Sequence, residues 1–288
     1  MRGLHILWFR NDLRAHDHAA LKAACLAAAR DGGAVLPLYI HLPGTTDTAF
    51  LIESLNDLEA ALDPRGAALH FRRGDPVDIL SDLHRAHKVL SLYVHDTPYP
   101  EGSDAQVEAW CLRAGVALRR FPQFGPEPGA QSFEDFMAAP RHAAPPNIPA
   151  AQVGIGQRPV RAAADATADR NGGRKTAIAT LKTLLGRVSD LSQIAAEAPS
   201  GDATLFEQLA PYLELGTVSI RETWQAAITA RNQYLAAGQD IRAARVSELI
   251  GQLSAFHRPR PTPSRRSTHA RPGQARQLSL DLGMARSG

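Results

Sequence analysis

The residues best placed to do chemistry are Arg10, Asn11, Asp12 and Arg14, followed by Asp17, where the short apolar run Leu4–Phe9 meets a charged turn. A strand that ends this way puts cations, a carboxylate and an amide at the mouth of a sheet, where open α/β sheets take their ligands. His41 and the pair His95-Asp96 close two further apolar runs in the same manner. Two readings stay open for this set. It can line a pocket for a nucleotide-like or chromophore ligand, or its charges can pair with each other and fix the loop. Neither G-x-G-x-x-G nor a Walker sequence is present, so dinucleotide and triphosphate binding have no support. Cys25 and Cys111 form neither a C-x-x-C pair nor a disulfide framework, and each sits in an apolar helical pattern that reads as core.

The elements that must position these groups follow from periodicity. Strands are expected at Leu4–Phe9, Ala34–His41, Ala68–Arg72, Val89–His95 and Val116–Phe121. Between them lie helices at Ala19–Ala29, Phe50–Leu62, from Pro76 onward, and Asp104–Ala114. Leu51, Leu55, Leu58 and Leu62 mark one inward helical face, and Asp75-Pro76 is a capped helix start. Strand–helix alternation with short connections implies a parallel sheet, so residues 1–125 read as a doubly wound, Rossmann-like α/β domain. Residues 126–173, rich in proline, glycine and alanine, read as an interdomain linker, partly ordered where Phe133, Phe136 and Met137 can dock. Residues 174–256 read as an all-α domain with helices at Arg174–Val188, Leu205–Leu215, Ser219–Tyr234 and Asp240–Phe256. Pro211 is expected to kink or restart the second of these. Their apolar faces are expected to lack partners, so that the helices are molten, dimerise or make the protein aggregate.

Charge is unevenly spread. Residues 257–288 hold seven arginines and a single acid, so the +3 of the whole chain hides a body of −3. Any electrostatic case for nucleic acid therefore rests on the tail. No apolar window approaches a membrane span and no secretory leader is evident, which points to a cytoplasmic protein.

Several motifs then occur in a telling order. Trp8-Phe9-Arg10-Asn11-Asp12-Leu13-Arg14 with Asp17 and Leu21 resembles the opening signature of the photolyase/cryptochrome flavoproteins. Phe50 with Ser54-Leu55 and Leu58, Arg73-Gly74-Asp75-Pro76, and Leu92-Tyr93-Val94-His95 resemble that family's first domain. Gly172-Gly173-Arg174 and the run from Leu209-Ala210-Pro211-Tyr212-Leu213 to Gly216, Ser219 and Arg221 resemble the opening of its helical domain. Phe136-Met137-Ala138-Ala139-Pro140 is similar to the bacterial cryptochrome-like or (6-4) photolyase branch.

The resemblance implies an α/β antenna domain, a helical flavin domain, FAD, an antenna chromophore of unknown identity, and damaged DNA as partner. It implies light-driven splitting of pyrimidine dimers, with the cofactor carrying the chemistry. It also implies cofactor contacts at Thr204, Leu209 and Tyr212 and at Arg10, Asn11 and Asp12, and it identifies no catalytic or metal residue. The chain departs from the family where small hydroxyls should meet the flavin phosphates, because those positions hold Phe206 and Glu207, and Ala210 replaces a serine. A glutamate donates no hydrogen bond and adds like charge, costing roughly 1–4 kcal/mol depending on the local dielectric. Thr204 is the alternative source of a hydroxyl. Most of the family's flavin domain would follow residue 250, whereas Arg258-Pro259-Arg260-Pro261 follows here, so a truncated flavin domain with impaired repair is expected. The tail reads as a disordered basic arm, as an out-of-frame continuation, or as the carrier of Gln277-Leu278-Ser279-Leu280-Asp281-Leu282. That hexapeptide resembles a sliding-clamp binding motif. A non-catalytic chromophore-binding or interaction remnant of the α/β domain is the competing functional reading.

Overall fold

The computed structural model describes residues 3–43, 48–97, 103–127, 129–151, 153, 171–186 and 204–256. Five parallel strands, β1 (Leu4–Phe9), β2 (Ala34–His41), β3 (His70–Arg73), β4 (Val89–His95) and β5 (Ala117–Phe121), form one sheet in the order β3-β2-β1-β4-β5. All six residues of β1 are buried, and their alternation divides the interior. Leu7 and Phe9 face a core built on α1 (Ala19–Asp31) and α2 (Ala49–Leu62). Ile6 and Trp8 face a second core built on α3 (Pro76–Ala86) and α4 (Ser103–Ala114). Helices on both faces make this part doubly wound, as the periodicity predicts. The chain winds outward in opposite directions from β1, so the sheet reverses between β1 and β4.

The local chemistry of the helix starts explains their positions. Asp75 caps α3 by accepting from Val77 N and Asp78 N, with Pro76 in the first turn. Helix α1 is capped by an imidazole instead: His18 Nδ1 accepts from Leu21 N at 3.0 Å.

The proline-rich stretch is ordered where its aromatics dock, as expected, and also beyond them, where it pairs with the sheet. Helix α5 (Phe133–Ala138) sends Phe136 and Met137 into the helical core. Residues 148–151 return to the sheet. Strand β3 pairs only with Leu38–His41, which leaves the start of β2 without a neighbour on that side. Val35 N donates to Pro149 O (2.7 Å) and Ala151 N to Val35 O (2.9 Å), and Ile148 is buried in the first core. The exposed strand edge supplies the bonding that the loop composition could not announce.

Four more helices, α6 (Arg174–Gly186), α7 (Leu205–Glu214), α8 (Ile220–Ala236) and α9 (Asp240–Phe256), enclose a separate core. Ala177, Leu181, Leu209, Val218, Ala227, Val246 and Leu253 are all at or below 3% exposure. The apolar faces therefore bury against one another and α5. Pro211 lies inside α7, which stays one helix. Proline costs it one backbone donor, while Leu209, Tyr212 and Leu213 anchor both sides in the core.

Candidate functional site

Where β1 and β4 end, three buried side chains converge: Asp12, His18 and His95, each at most 4% exposed. Asp12 Oδ1 accepts from Arg10 N at 2.7 Å, and Oδ2 accepts from His95 Nδ1 at 2.8 Å. His18 Nε2 stands 3.0 Å from the same oxygen, as a charge–dipole contact without the alignment of a hydrogen bond. Burial acts to raise the Asp12 pKa, but its electrostatic contact with His18 and the hydrogen bond from His95 outweigh it and hold the carboxyl well below its ordinary value. Burial pushes His95 down to about 3, helped by His18, and it lowers His18 as well. At neutral pH the cluster is one carboxylate between two neutral imidazoles.

Three donors this close, within 4.8 Å of one another, raise the question of a metal ion. The tautomer of His18 answers it. A neutral imidazole has a single lone pair, and His18 spends it at Nδ1 capping α1, so Nε2 carries a proton toward Asp12. His18 cannot cap and ligate together, and the cluster is a hydrogen-bonded core to the loop.

Around that core the turn 10–17 is sewn to the helical part. Arg10 NH1 pairs with Asp104 Oδ1 at 2.6 Å, NH2 donates to His95 O, and the guanidinium lies 5.0 Å from the Trp8 ring. Asn11 Nδ2 donates to Glu214 O (2.9 Å) and Leu13 N to Leu215 O (3.0 Å). Arg14 NH1 donates to Gly216 O at 2.8 Å. Gly216 is required there, because its φ is +63° and a Cβ would collide with the Asn11 carbonyl oxygen. Asp17, itself at φ +47°, accepts from Ser219 Oγ (2.6 Å), Arg221 NH1 (2.9 Å) and His142 N (3.1 Å). Burial would raise its pKa, but the Ser219 hydroxyl, Arg221 and Arg14 hold it down. Beside it, Arg174 grips Glu222 with both terminal nitrogens (2.7 and 2.8 Å), and Arg141 reaches the same carboxylate at 3.2 Å. Gly172 N and Gly173 N donate to Glu53 Oε2 and Ser54 Oγ of α2.

The structure thus brings Arg10, Asn11 and Asp12 together, but onto internal partners: Arg10 on Asp104 and His95, Asp12 on His95 and the Arg10 amide, and Asn11 on the C-terminal end of α7. Thr204 lies at the other end, about 15 Å away by helical rise. Its Oγ1 accepts from Glu207 N (3.2 Å), while the Glu207 carboxylate accepts from Thr204 N (2.7 Å), a closed capping box. Tyr212 donates its hydroxyl to Asn171 O (3.0 Å), and Leu209 is fully buried in the helical core. The residues implied for flavin phosphates do not fit that role at this turn. The hydroxyl is engaged, Glu207 already supplies the anion that the helix N-terminus favours, and Phe206 packs on Phe256 with ring centroids 5.5 Å apart. His18, Arg174, Glu222 and Gln123, which donates its amide to Asn11 O, were not anticipated as part of this assembly. His18 is absent from the usual list of capping residues, and the others act across long separations. The hexapeptide at 277–282 lies outside the described residues.

Comparison with known proteins supplies the context. The family model described as DNA photolyase matches residues 5–123. Cryptochrome DASH, chloroplastic/mitochondrial, of Solanum lycopersicum is 38% identical over 108 residues, covering 33% of this chain and 18% of that protein. The (6-4)DNA photolyase of Arabidopsis thaliana is 25% identical over 275 residues, covering 76% of this chain and 48% of that one. In fold, the chain is similar to the Synechocystis cryptochrome (TM-score 0.68, 20% identity, 89% of this chain and 61% of that one). It is also similar to a class III photolyase of Agrobacterium tumefaciens (TM-score 0.64, 22% identity, 90% and 60%). The chain spans less than half the length of these curated relatives and about 60% of the solved structures.

Proposed function

Because this chain belongs to the photolyase/cryptochrome family, we propose that it derives from the light-dependent DNA-repair lineage and that flavin-dependent splitting of pyrimidine dimers is impaired in it. The observation that carries this reading is the closed capping box of Thr204 and Glu207 at the turn where the resemblance places flavin phosphates. FAD, when bound in the family, supplies the photochemical electron. The residues at this turn cap their own helix end, and the Glu207 carboxylate adds like charge where a phosphate would sit. We assign Arg10, Asn11 and Asp12 to holding the seam between sheet and helices, since their polar groups are met internally. An antenna chromophore, damaged DNA and a sliding clamp belong to this proposal as the partners the family and the tail motif suggest.

Blue-light illumination of the purified full chain with FAD and dimer-containing DNA tests the reading. Dimer splitting below a hundredth of that of an intact photolyase run alongside supports it. Splitting at a comparable rate overturns it. Among the described residues no helix is long and apolar enough to cross a membrane.

A further inference from the structure

A trough of about 570 Å³ runs between α6 and α8, away from the capping box and the seam loop. Its floor is apolar, formed by Ile178, Leu181, Leu185, Ala226 and Ala230. At one end stand Arg141 and Glu222, and both also border a second cavity of about 390 Å³ lined by His16, His142 and Arg174. The two spaces thus adjoin at Arg141 and Glu222. Arg141 is half exposed and touches Glu222 with one terminal nitrogen, at 3.2 Å. Lys182 lies on the rim. Arg141, Arg174 and Lys182 outnumber Glu222 and Asp17, and the Asp17 carboxylate is already met by Arg221 and Ser219.

We propose that this composite crevice binds a small aromatic phosphate monoester, with the ring in the α6–α8 slot and the phosphate held by Arg141 and Lys182 near His16 and His142. The volume lies in the range of ordinary ligand pockets, which pair an apolar body with a few convergent polar groups. Guanidinium donors suit a phosphate, whose oxygens can take several bonds at once. Burial and the positive neighbours Arg174 and Arg65 hold His16 below its ordinary pKa, which agrees with a positive field at this end. None of Thr204, Phe206, Glu207, Leu209 or Tyr212 borders the trough, so the site is separate from the turn assigned to flavin.

Isothermal titration of the full chain with 1-naphthyl phosphate, 1-naphthol and inorganic phosphate tests the assignment. The expected result is binding of the naphthyl ester at least tenfold tighter than either fragment. Lys182→Gln, at an exposed residue outside the seam, should weaken it at least fivefold, and Ala230→Trp, which fills the slot, should abolish it, with both variants melting as the parent does. Equal binding by naphthol or by phosphate alone, or an unchanged affinity in Lys182→Gln, overturns the proposal. These readouts are independent of flavin, so they stand apart from the fate of the repair reading.

Discussion

Asp12 stays ionised in the interior because each oxygen it turns inward meets a donor, and that makes the side chain hard to replace. Asp12→Asn removes the charge and turns an amide N–H group against an imidazole N–H. It should cost about 3 kcal/mol in urea unfolding, the usual scale for breaking a buried charged network. His18 has two separable duties, capping α1 and facing Asp12. His18→Asn keeps a strong cap, so it should be about 1 kcal/mol less damaging than His18→Ala. The cluster also sets an acid limit. His95 takes a proton near pH 3 when folded and near 6.5 when unfolded, so as pH falls below 6.5 the unfolded chain binds the proton first. Stability is complete above that value and declines toward pH 3, at about 1.4 kcal/mol per pH unit for each such histidine. His18 acts in the same sense, and Asp12, with its depressed pKa, adds a further loss at lower pH. Urea midpoints should fall steadily from pH 7 to pH 4.5, and a flat profile would contradict the neutral-imidazole assignment. Arg10, Asn11 and Asp12 were legible as a special strand end. Their partners were not, because Asp104 and His95 lie more than eighty positions along the chain and Glu214, the partner of Asn11, some two hundred.

At the scale of elements, periodicity identified the strands and helices of the sheet domain to within a residue or two, since a buried parallel strand and an amphipathic helix leave strong apolar patterns. What it could not show was the pairing of the proline-rich stretch with the sheet, which depends on the unpaired start of β2, or the continuity of α7 through Pro211. The joints between elements are set by glycines of unequal importance. Gly216 and Gly238 both have positive φ, +63° and +68°, but only Gly216 presses on another segment. Gly238→Ala should cost about 1 kcal/mol from backbone strain alone. Gly216→Ala adds a clash with the Asn11 carbonyl and should cost 3 kcal/mol or more, readable as a larger drop in melting temperature.

Among the described residues, a sheet with a core on each face meets a third, helical core across a polar seam. Asp17 draws Arg14, Arg221, Ser219 and the His142 amide to one point, and Glu222 does the same for Arg141 and Arg174. Such buried, mutually satisfied charges couple the parts, so the parent chain should unfold in one calorimetric transition. Asp17→Ala should separate it into two, and a single unshifted transition in that variant would show that the seam carries no coupling. The sequence resemblance pointed to the lineage, while the geometry bears on the activity, and the two diverge at the first turn of α7. Equilibrium dialysis of FAD against the full chain and its Glu207→Ser variant tests that divergence most directly. The parent is expected to retain no stoichiometric flavin, and opening the capping box should raise retention measurably. A parent that holds one flavin per chain would contradict the account.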